Sequence, residues 1–301
     1  MTIVRLRGGL GNQLFQYAFG RLIAGRRGEE LKLDKEALGA GKDTYRAYGL
    51  DNFNIRAVLA TPVEIKTAQY PNGALAKAWR LVQTKIFRSF HIGYEARMLK
   101  TRRSYLDGYF QSYKYLEPIR KELLEEISLK EDLSLKYGAL LAEMAANNSV
   151  AVHVRRGDYV SDAKTRSAHF VCDRPYYERA MILMGKKINE LEKNVSGESI
   201  SVPENFSAPV FYIFSDDIVG TKENWPERGN SVFVSGPRMK DYEEMILMSK
   251  CRHNIIANSS FSFWAAWLNQ NPEKIVIAPK KWNKKFPRAY RQLLPEQWIK
   301  L

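Results

Sequence analysis

The sequence predicts an α/β protein built on parallel sheets. Short apolar runs alternate with segments of helical spacing, most regularly after residue 149, and polar or glycine-rich clusters follow directly on the apolar runs. At 301 residues the chain is long enough to bury a large core, as one large domain or two ordinary ones. A shift from mixed, basic sequence to regular strand–helix alternation places a boundary near residue 140, giving domains 1–140 and 141–301.

Residues 3–6 read as the first strand, and residues 14–23 have helical spacing. Between them lies Arg7-Gly8-Gly9-Leu10-Gly11-Asn12-Gln13. Strand, glycine-rich turn and helix is the layout in which backbone N–H groups face a ligand, which makes Gly11 a candidate together with the amides Asn12 and Gln13, which can cap the helix or bind. The glycine spacing is not the dinucleotide pattern, and a tight turn explains the glycines equally well. Residues 31–34 form a second strand. Residues 40–110 carry aromatic clusters (Tyr45, Tyr48, Phe53; Trp79, Phe87, Phe90; Tyr105, Tyr109, Phe110) without clean periodicity. Residues 104–112 alternate as a strand, 119–127 as an amphipathic helix, and 140–146 as a further helix.

In the second half, residues 149–152 are a buried strand that runs into His153-Val154-Arg155-Arg156-Gly157-Asp158-Tyr159. In an open α/β sheet, ligands bind at such a strand's C-terminal end. Two Arg beside a Gly turn supply planar, permanently charged forks for phosphate oxygens, and Asp158 is placed to orient one of them. A surface Arg–Asp salt bridge is the plainer reading. A helix starts near Pro175, a polar loop covers 190–208, and strands at 209–214 and 232–234 follow. The remaining elements are a helix at 241–249, a strand at 254–257, a helix at 263–268 and a strand at 274–279.

Asn258-Ser259-Ser260-Phe261-Ser262 lies between a strand and a helix, where hydroxyls and unpaired helix N–H groups meet an anion. A helix cap alone needs one such residue, and this turn has four. Asp216 and Asp217 end another strand; consecutive side chains on a strand point to opposite faces, so they read as hydrogen-bond acceptors for a base or ribose, or as a turn, and not as a metal site.

Composition narrows the partners. Lys and Arg number 47 against 33 Asp and Glu, a net charge of +14, which favours a phosphorylated substrate, nucleic acid or an acidic membrane. No nucleic-acid-binding motif is present, so nucleic acid is not the expected partner. The densest basic runs, residues 280–285 and Arg102-Arg103, would serve peripheral contact with a membrane or form a solvated face. Two distant cysteines, Cys172 and Cys251, suit a reducing compartment. Without a signal peptide or a span of roughly 20 apolar residues, the expected location is cytoplasmic.

With these residues in place, the chain resembles the bacterial α-1,2-fucosyltransferases of glycosyltransferase family eleven over almost its whole length. The resemblance rests on residues 8–17, 153–159, 214–217, 258–265 and Ala278-Pro279-Lys280-Lys281-Trp282, five motifs in order. It implies two Rossmann-like domains facing across a cleft, the GT-B arrangement, with GDP-fucose as donor, inversion at the sugar carbon and no metal or other cofactor. Arg155, Arg156, Gly11 and the turn from Asn258 through Ser259, Ser260 and Phe261 would hold the donor, with Asp216 or Asp217 on guanine or ribose. Breaking the donor bond develops negative charge on GDP, which Arg155 or Arg156 and the helix N-terminus would meet. His153 and Asp158 are alternative general bases, and Asn12 an orienting amide. The implied acceptor is a terminal β-galactoside of an oligosaccharide or a lipid-linked O-antigen or capsule unit, bound by the first domain. Another GDP-sugar transferase on the same scaffold is the nearest alternative; a basic nucleic-acid-binding protein is the distant one.

Overall fold

The computed structural model describes residues 1–39, 47–69, 91–157, 167, 170–196, 208–226 and 230–301. Asp158 and the aromatics Tyr45, Trp79, Phe87 and Phe90 lie outside these residues. The chain divides into two compact units, one of residues 1–131 and 288–295, the other of residues 132–287 and 296–301.

The first unit holds four parallel strands: β1 (Thr2–Arg5), β2 (Leu31–Asp34), β3 (Val58–Leu59) and β4 (Tyr105–Leu106). Their order is β3-β2-β1-β4, so the chain steps outward from β1 on one side and returns to its other side with β4. Helix α1 (Leu10–Arg27) buries Leu14, Phe15, Ala18, Phe19, Leu22 and Ile23. Burying one such large side chain is worth about 2 kcal/mol. It runs from residue 10, four residues before the apolar spacing becomes clear, because glycines and amides fill its first turn. Short helices α2 (Glu36–Gly39), α3 (Pro62–Gln69) and α4 (Arg120–Glu126) and several 3-10 turns also belong to this unit. The strand expected over 104–112 shrinks to two residues, since Phe110 takes a positive φ of 51° and turns the chain away.

The second unit carries β5 (Ser149–Val154), β6 (Val210–Ser215), β7 (Asn230–Phe233), β8 (His253–Ile255), β9 (Val276–Ala278) and β10 (Ile299–Lys300), all parallel. Their order, β10-β9-β8-β5-β6-β7, is the doubly wound 3-2-1-4-5-6 order of a Rossmann sheet when counted from β7. Central β5 and β6 are buried along their whole length, and the edge strands are more open, as a sheet covered on both faces requires. Helix α6 (Arg174–Ser196) lays Tyr177, Ala180, Met181, Met184 and Ile188 on Val150, Val152 and Val154. It continues to residue 196, past the expected loop start at 190, through the helix-forming run Glu190-Leu191-Glu192-Lys193.

Around this sheet lie α5 (Ser134–Ala146), α7 (Ile218–Glu223), α8 (Asp241–Lys250) and α9 (Ser260–Leu268). Helix α9 is almost entirely buried from Ser262 to Leu268, with Trp264 and Trp267 edge to face at 5.3 Å. No described helix is long and apolar enough to cross a membrane.

Candidate active site

In the second unit the direction of winding reverses between β5 and β8, and the crevice beyond their C-terminal ends is where such sheets bind ligands. Of the residues selected from the sequence, those of the second unit among the described residues (His153, Arg155, Arg156, Asp216, Asp217 and residues 258–261) lie at this end of the sheet, whereas Gly11 and Asn12 belong to the first unit. His153 lies inside β5 and is 2% exposed, so only Arg155 and Arg156 emerge from the strand. The His153 ring sits 5.4 Å from that of Phe261, in the first turn of α9, joining the two sides of the crevice. Helix α6 fixes both walls from behind: Tyr177 donates to the His153 carbonyl (3.1 Å) and Tyr176 to the Ile256 carbonyl (2.7 Å).

The two arginines are held by the aspartates after β6. Val154 and Ser215 are register partners, so the residues just beyond them meet. Arg155 Nη1 lies 2.9 Å from Asp216, and Arg156 Nε donates to Asp217 at 3.1 Å. Asp216 also accepts the backbone N–H of Arg156 (2.9 Å) and Gly157 (3.1 Å), an approach so close that a Cβ at Gly157 would collide with its carboxylate. Asp217 caps α7 by accepting from Gly220 N–H (3.0 Å), and this bond and Arg156 hold its carboxyl below the usual range. Both carboxylates thus serve the arginines and the backbone.

In the 258–262 turn the polar side chains divide their tasks. Asn258 donates to the carbonyls of Phe170 and Trp282, tying down the turn. Ser262 is buried and bonds the Ala257 and Ser259 carbonyls, while Ser259 caps the helix by accepting from Phe261 N–H (3.3 Å). Ser260 and Phe261 are half-buried at the mouth of the crevice, where α9 presents its positive N-terminal end.

Electrostatics distinguish two further groups. Burial pushes the His153 imidazole down to about 4, against the pull of Asp216 and with the help of Arg155. Among the described residues its buried Nδ1 meets no hydrogen-bond partner. Burial pushes Glu244, in the first turn of α8, up to about 7; the Ser235 hydroxyl bonds it and lowers this, and Asp241, Asp216 and Glu243 add to it. Ser235 Oγ also accepts Ser215 N–H (2.9 Å), so Glu244 is fastened to the end of β6 beside Asp216. The sequence offered no sign of Glu244, because acidic residues in a helix's first turn are expected on dipole grounds alone. Among the described residues, no group of three or more His, Cys, Asp and Glu is placed to hold a metal ion.

In the first unit, Gly8 takes a φ of 72°, and a Cβ there would meet Asn12 Nδ2 at 2.5 Å. Asn12 Oδ1 accepts from Gln111 Nε2 at 2.7 Å. Gly11, also in the first turn of α1, is buried.

The profile of Glycosyl transferase family 11 matches residues 72–301. The chain belongs to glycosyl transferase family 11. An Escherichia coli protein named alpha-1,2-colitosyltransferase is 31% identical to this glycosyltransferase, over 100% of the chain and 99% of the relative. The O-antigen biosynthesis glycosyltransferase WbnK of E. coli is 30% identical, over 98% of the chain and 99% of its own length. The galactoside alpha-(1,2)-fucosyltransferase 2 of Rattus norvegicus is 30% identical over 54% of the chain and 42% of its own. In fold, the family 11 chain is similar to the fucosyltransferase NodZ from Bradyrhizobium, with a TM-score of 0.50 at 13% identity, covering 88% of this chain and 92% of that one. The α/β, GT-B-like class expected from the sequence is therefore the fold of this chain.

Proposed function

We propose that this glycosyltransferase is an inverting α-1,2-fucosyltransferase that moves L-fucose from GDP-fucose to the 2-hydroxyl of a terminal β-galactoside. The observation that carries the reading is the Arg155 guanidinium, fixed by Asp216 at the switch-point crevice opposite the N-terminus of α9. A leaving diphosphate gains negative charge as its bond to the sugar breaks, and donors already in place stabilise it without reorganising. Arg155, Arg156 and the α9 N–H groups supply that field from the protein, so the reading includes turnover without a metal. The second unit is then the GDP-sugar domain and the first the acceptor domain.

Because Asp216 and Asp217 hold the arginines, Glu244 becomes the carboxyl for the nucleoside, accepting from guanine N–H or ribose hydroxyl groups. His153 lies inside β5 and is 2% exposed, out of reach of an acceptor hydroxyl, which leaves Asp158 as the side chain assigned to the acceptor proton.

A specific observation favours a second donor: the relative named a colitosyltransferase matches the chain end to end. Colitose is the 3-deoxy counterpart of L-fucose, so the two donors differ by one hydroxyl. The same α-1,2 displacement on a GDP-colitose donor is the alternative reading.

The natural acceptor in this proposal is an O-antigen or capsule unit, free or lipid-linked. A net charge of +14 favours a cytoplasmic protein peripheral to an anionic membrane, with residues 280–285 as the contact; co-flotation with phosphatidylglycerol vesicles, lost in 0.5 M salt, is the expected behaviour.

The deciding experiment measures GDP release from GDP-fucose in EDTA, with and without lactose or N-acetyllactosamine. Acceptor-dependent release with a new trisaccharide by mass supports donor, reaction class and metal independence together. Turnover only with GDP-colitose selects the second reading, and loss in EDTA restored by manganese overturns the metal-free step.

A further inference from the structure

The first unit has a switch point of its own, between β1 and β4. The segments after those two strands are residues 7–12 and 107–111, and they are fastened together. Arg7 pairs with Asp107 through Nη2 at 2.5 and 2.7 Å, and Arg5 reaches the same carboxylate at 3.4 Å. Gln16 accepts the Arg7 N–H (2.9 Å). Gln13 donates to the Gly8 and Ala47 carbonyls (3.0 and 2.9 Å) and accepts from Gly49 N–H (3.1 Å). These bonds leave the turn that carries Asn12 little freedom.

Gln111 is placed from the other side at a visible conformational expense. Phe110, the residue before it, and His91 both have positive φ, at 51° and 44°, a region that bulky side chains avoid. Both are held there by packing and bonding. The Phe110 ring lies nearly parallel to Phe19 at 4.0 Å and to His91 at 6.1 Å, and its N–H donates to the His91 carbonyl at 2.8 Å. Gln111 N–H then bonds the Ile92 carbonyl (2.6 Å), and its side chain, in a residue only 7% exposed, meets Asn12. Strained backbone persists where the surrounding structure over-determines it, and such positions gather at ligand-binding sites.

We propose that Gln111 positions the Asn12 amide, and that the two carboxamides form a hydroxyl-binding pair for the pyranose acceptor. The inference deepens the fucosyltransferase reading and rests on it. A primary amide has two N–H donors and an acceptor oxygen, so a pair of them matches a sugar hydroxyl in either sense. That versatility suits a neutral polyol. Arg7 and Asp107, with Arg5 beside them, hold the wall of the site. Asn12 on its own was visible in the sequence; the partner that fixes its orientation stands 99 positions away and is supplied by the fold.

The test compares the wild-type chain with Gln111→Ala and Gln111→Asn on methyl β-D-galactopyranoside and its 3-, 4- and 6-deoxy analogues. Gln111→Ala should raise the acceptor KM at least tenfold. The GDP-fucose KM and acceptor-independent donor hydrolysis should stay within twofold. One deoxy analogue that is penalised by the wild type should lose at least fivefold of that penalty in Gln111→Ala, a coupling that general loosening would not produce. Gln111→Asn, with the same group on a shorter stem, should recover part of it. Identical penalties in variant and wild type, or a donor KM raised as much as the acceptor KM, would overturn the proposal. If the wild type transfers no fucose to any galactoside, the fucosyltransferase reading fails separately. Saturation-transfer NMR with the same analogues then decides for Gln111: the same binding epitope in both proteins, or binding in neither, overturns its role.

Discussion

Arg155 and Asp216 meet one residue beyond the last register pair of β5 and β6, with Nη1 and Oδ2 2.9 Å apart. Parallel pairing of Val154 with Ser215 dictates the encounter, and Asp216 completes it by accepting the N–H groups of Arg156 and Gly157. The carboxylate therefore aims the guanidinium and shapes the turn at once. Removing the cation should lower kcat/KM by about 100- to 1,000-fold, the usual effect of losing one fixed donor to a developing anion. Arg155→Ala measured by GDP release, with its melting temperature within a few degrees of wild type, checks this. Near-normal turnover would remove Arg155 from the mechanism.

Asp216→Asn separates the two duties. An amide oxygen still accepts the two backbone N–H groups, whereas the ion pair is gone. A loss of about tenfold in kcat/KM, smaller than for Arg155→Ala, is expected by comparison with that range. Gly157→Ala, which thrusts a Cβ into the same carboxylate, should be the more damaging change to the fold.

Glu244 should make GDP affinity depend on pH. Its proton leaves at about 7 in the free protein, and a carboxylate accepts from guanine or ribose better than a carboxylic acid does. Affinity should rise between pH 6 and pH 8, and Glu244→Gln should bind more weakly at pH 8 with little pH dependence. Calorimetric titration with GDP at three pH values reads both; parallel curves for the two proteins would refute the assignment.

Two buried histidines link stability to pH. Burial lowers His153 and His253 to about 4, each against an ordinary value of 6.5. Between those values the unfolded chain binds protons that the folded chain refuses, so their contribution is complete above about 6.5 and is lost as pH falls toward 4. Glu244 has the opposite sign, since its raised pKa favours the folded state at lower pH across the window from 4.5 to about 7. Urea unfolding of wild type and His253→Gln at pH 7.5, 6 and 5 isolates one histidine. The variant should be less stable at pH 7.5, where the Ile275 N–H loses its acceptor, and should lose less on acidification.

Tyr176→Phe and Tyr177→Phe each leave a buried carbonyl at the crevice without its donor. A cost of about 1–3 kcal/mol is expected for each, read by urea unfolding. Activity should fall more than that of a distant variant of equal stability, because these hydroxyls hold the ends of β5 and β8.

Much of the second unit was legible because parallel strands buried on both faces are written as unbroken apolar runs, such as 149–152 and 209–214. The crevice followed from the charged and hydroxyl residues directly behind those runs. What the sequence withheld was pairing. Nothing local says that Arg155 and Arg156 find Asp216 and Asp217 some 60 positions on, since only the β5–β6 register brings them together. The 258–262 turn looked like four ligand groups, and Asn258 and Ser262 are absorbed by backbone carbonyls. In the first unit, β3 and β4 are two residues long, and elements that short leave no period to read.

The return of the chain at residue 288 has a consequence for how this enzyme can be divided. Residues 288–295 belong to the first unit, and 296–301 rejoin the second, where β10 completes the sheet beside β9. Within the first unit, Ser112 donates to the Gln292 carbonyl and Tyr113 N–H to that of Leu293. Neither unit is thus encoded by one uninterrupted stretch of gene. A chimaera that exchanges acceptor halves by a single splice near residue 131 would inherit a C-terminal tail matched to the wrong half. Grafting a new acceptor specificity onto this donor unit requires two splices, and residues 288–295 must travel with the segment they close.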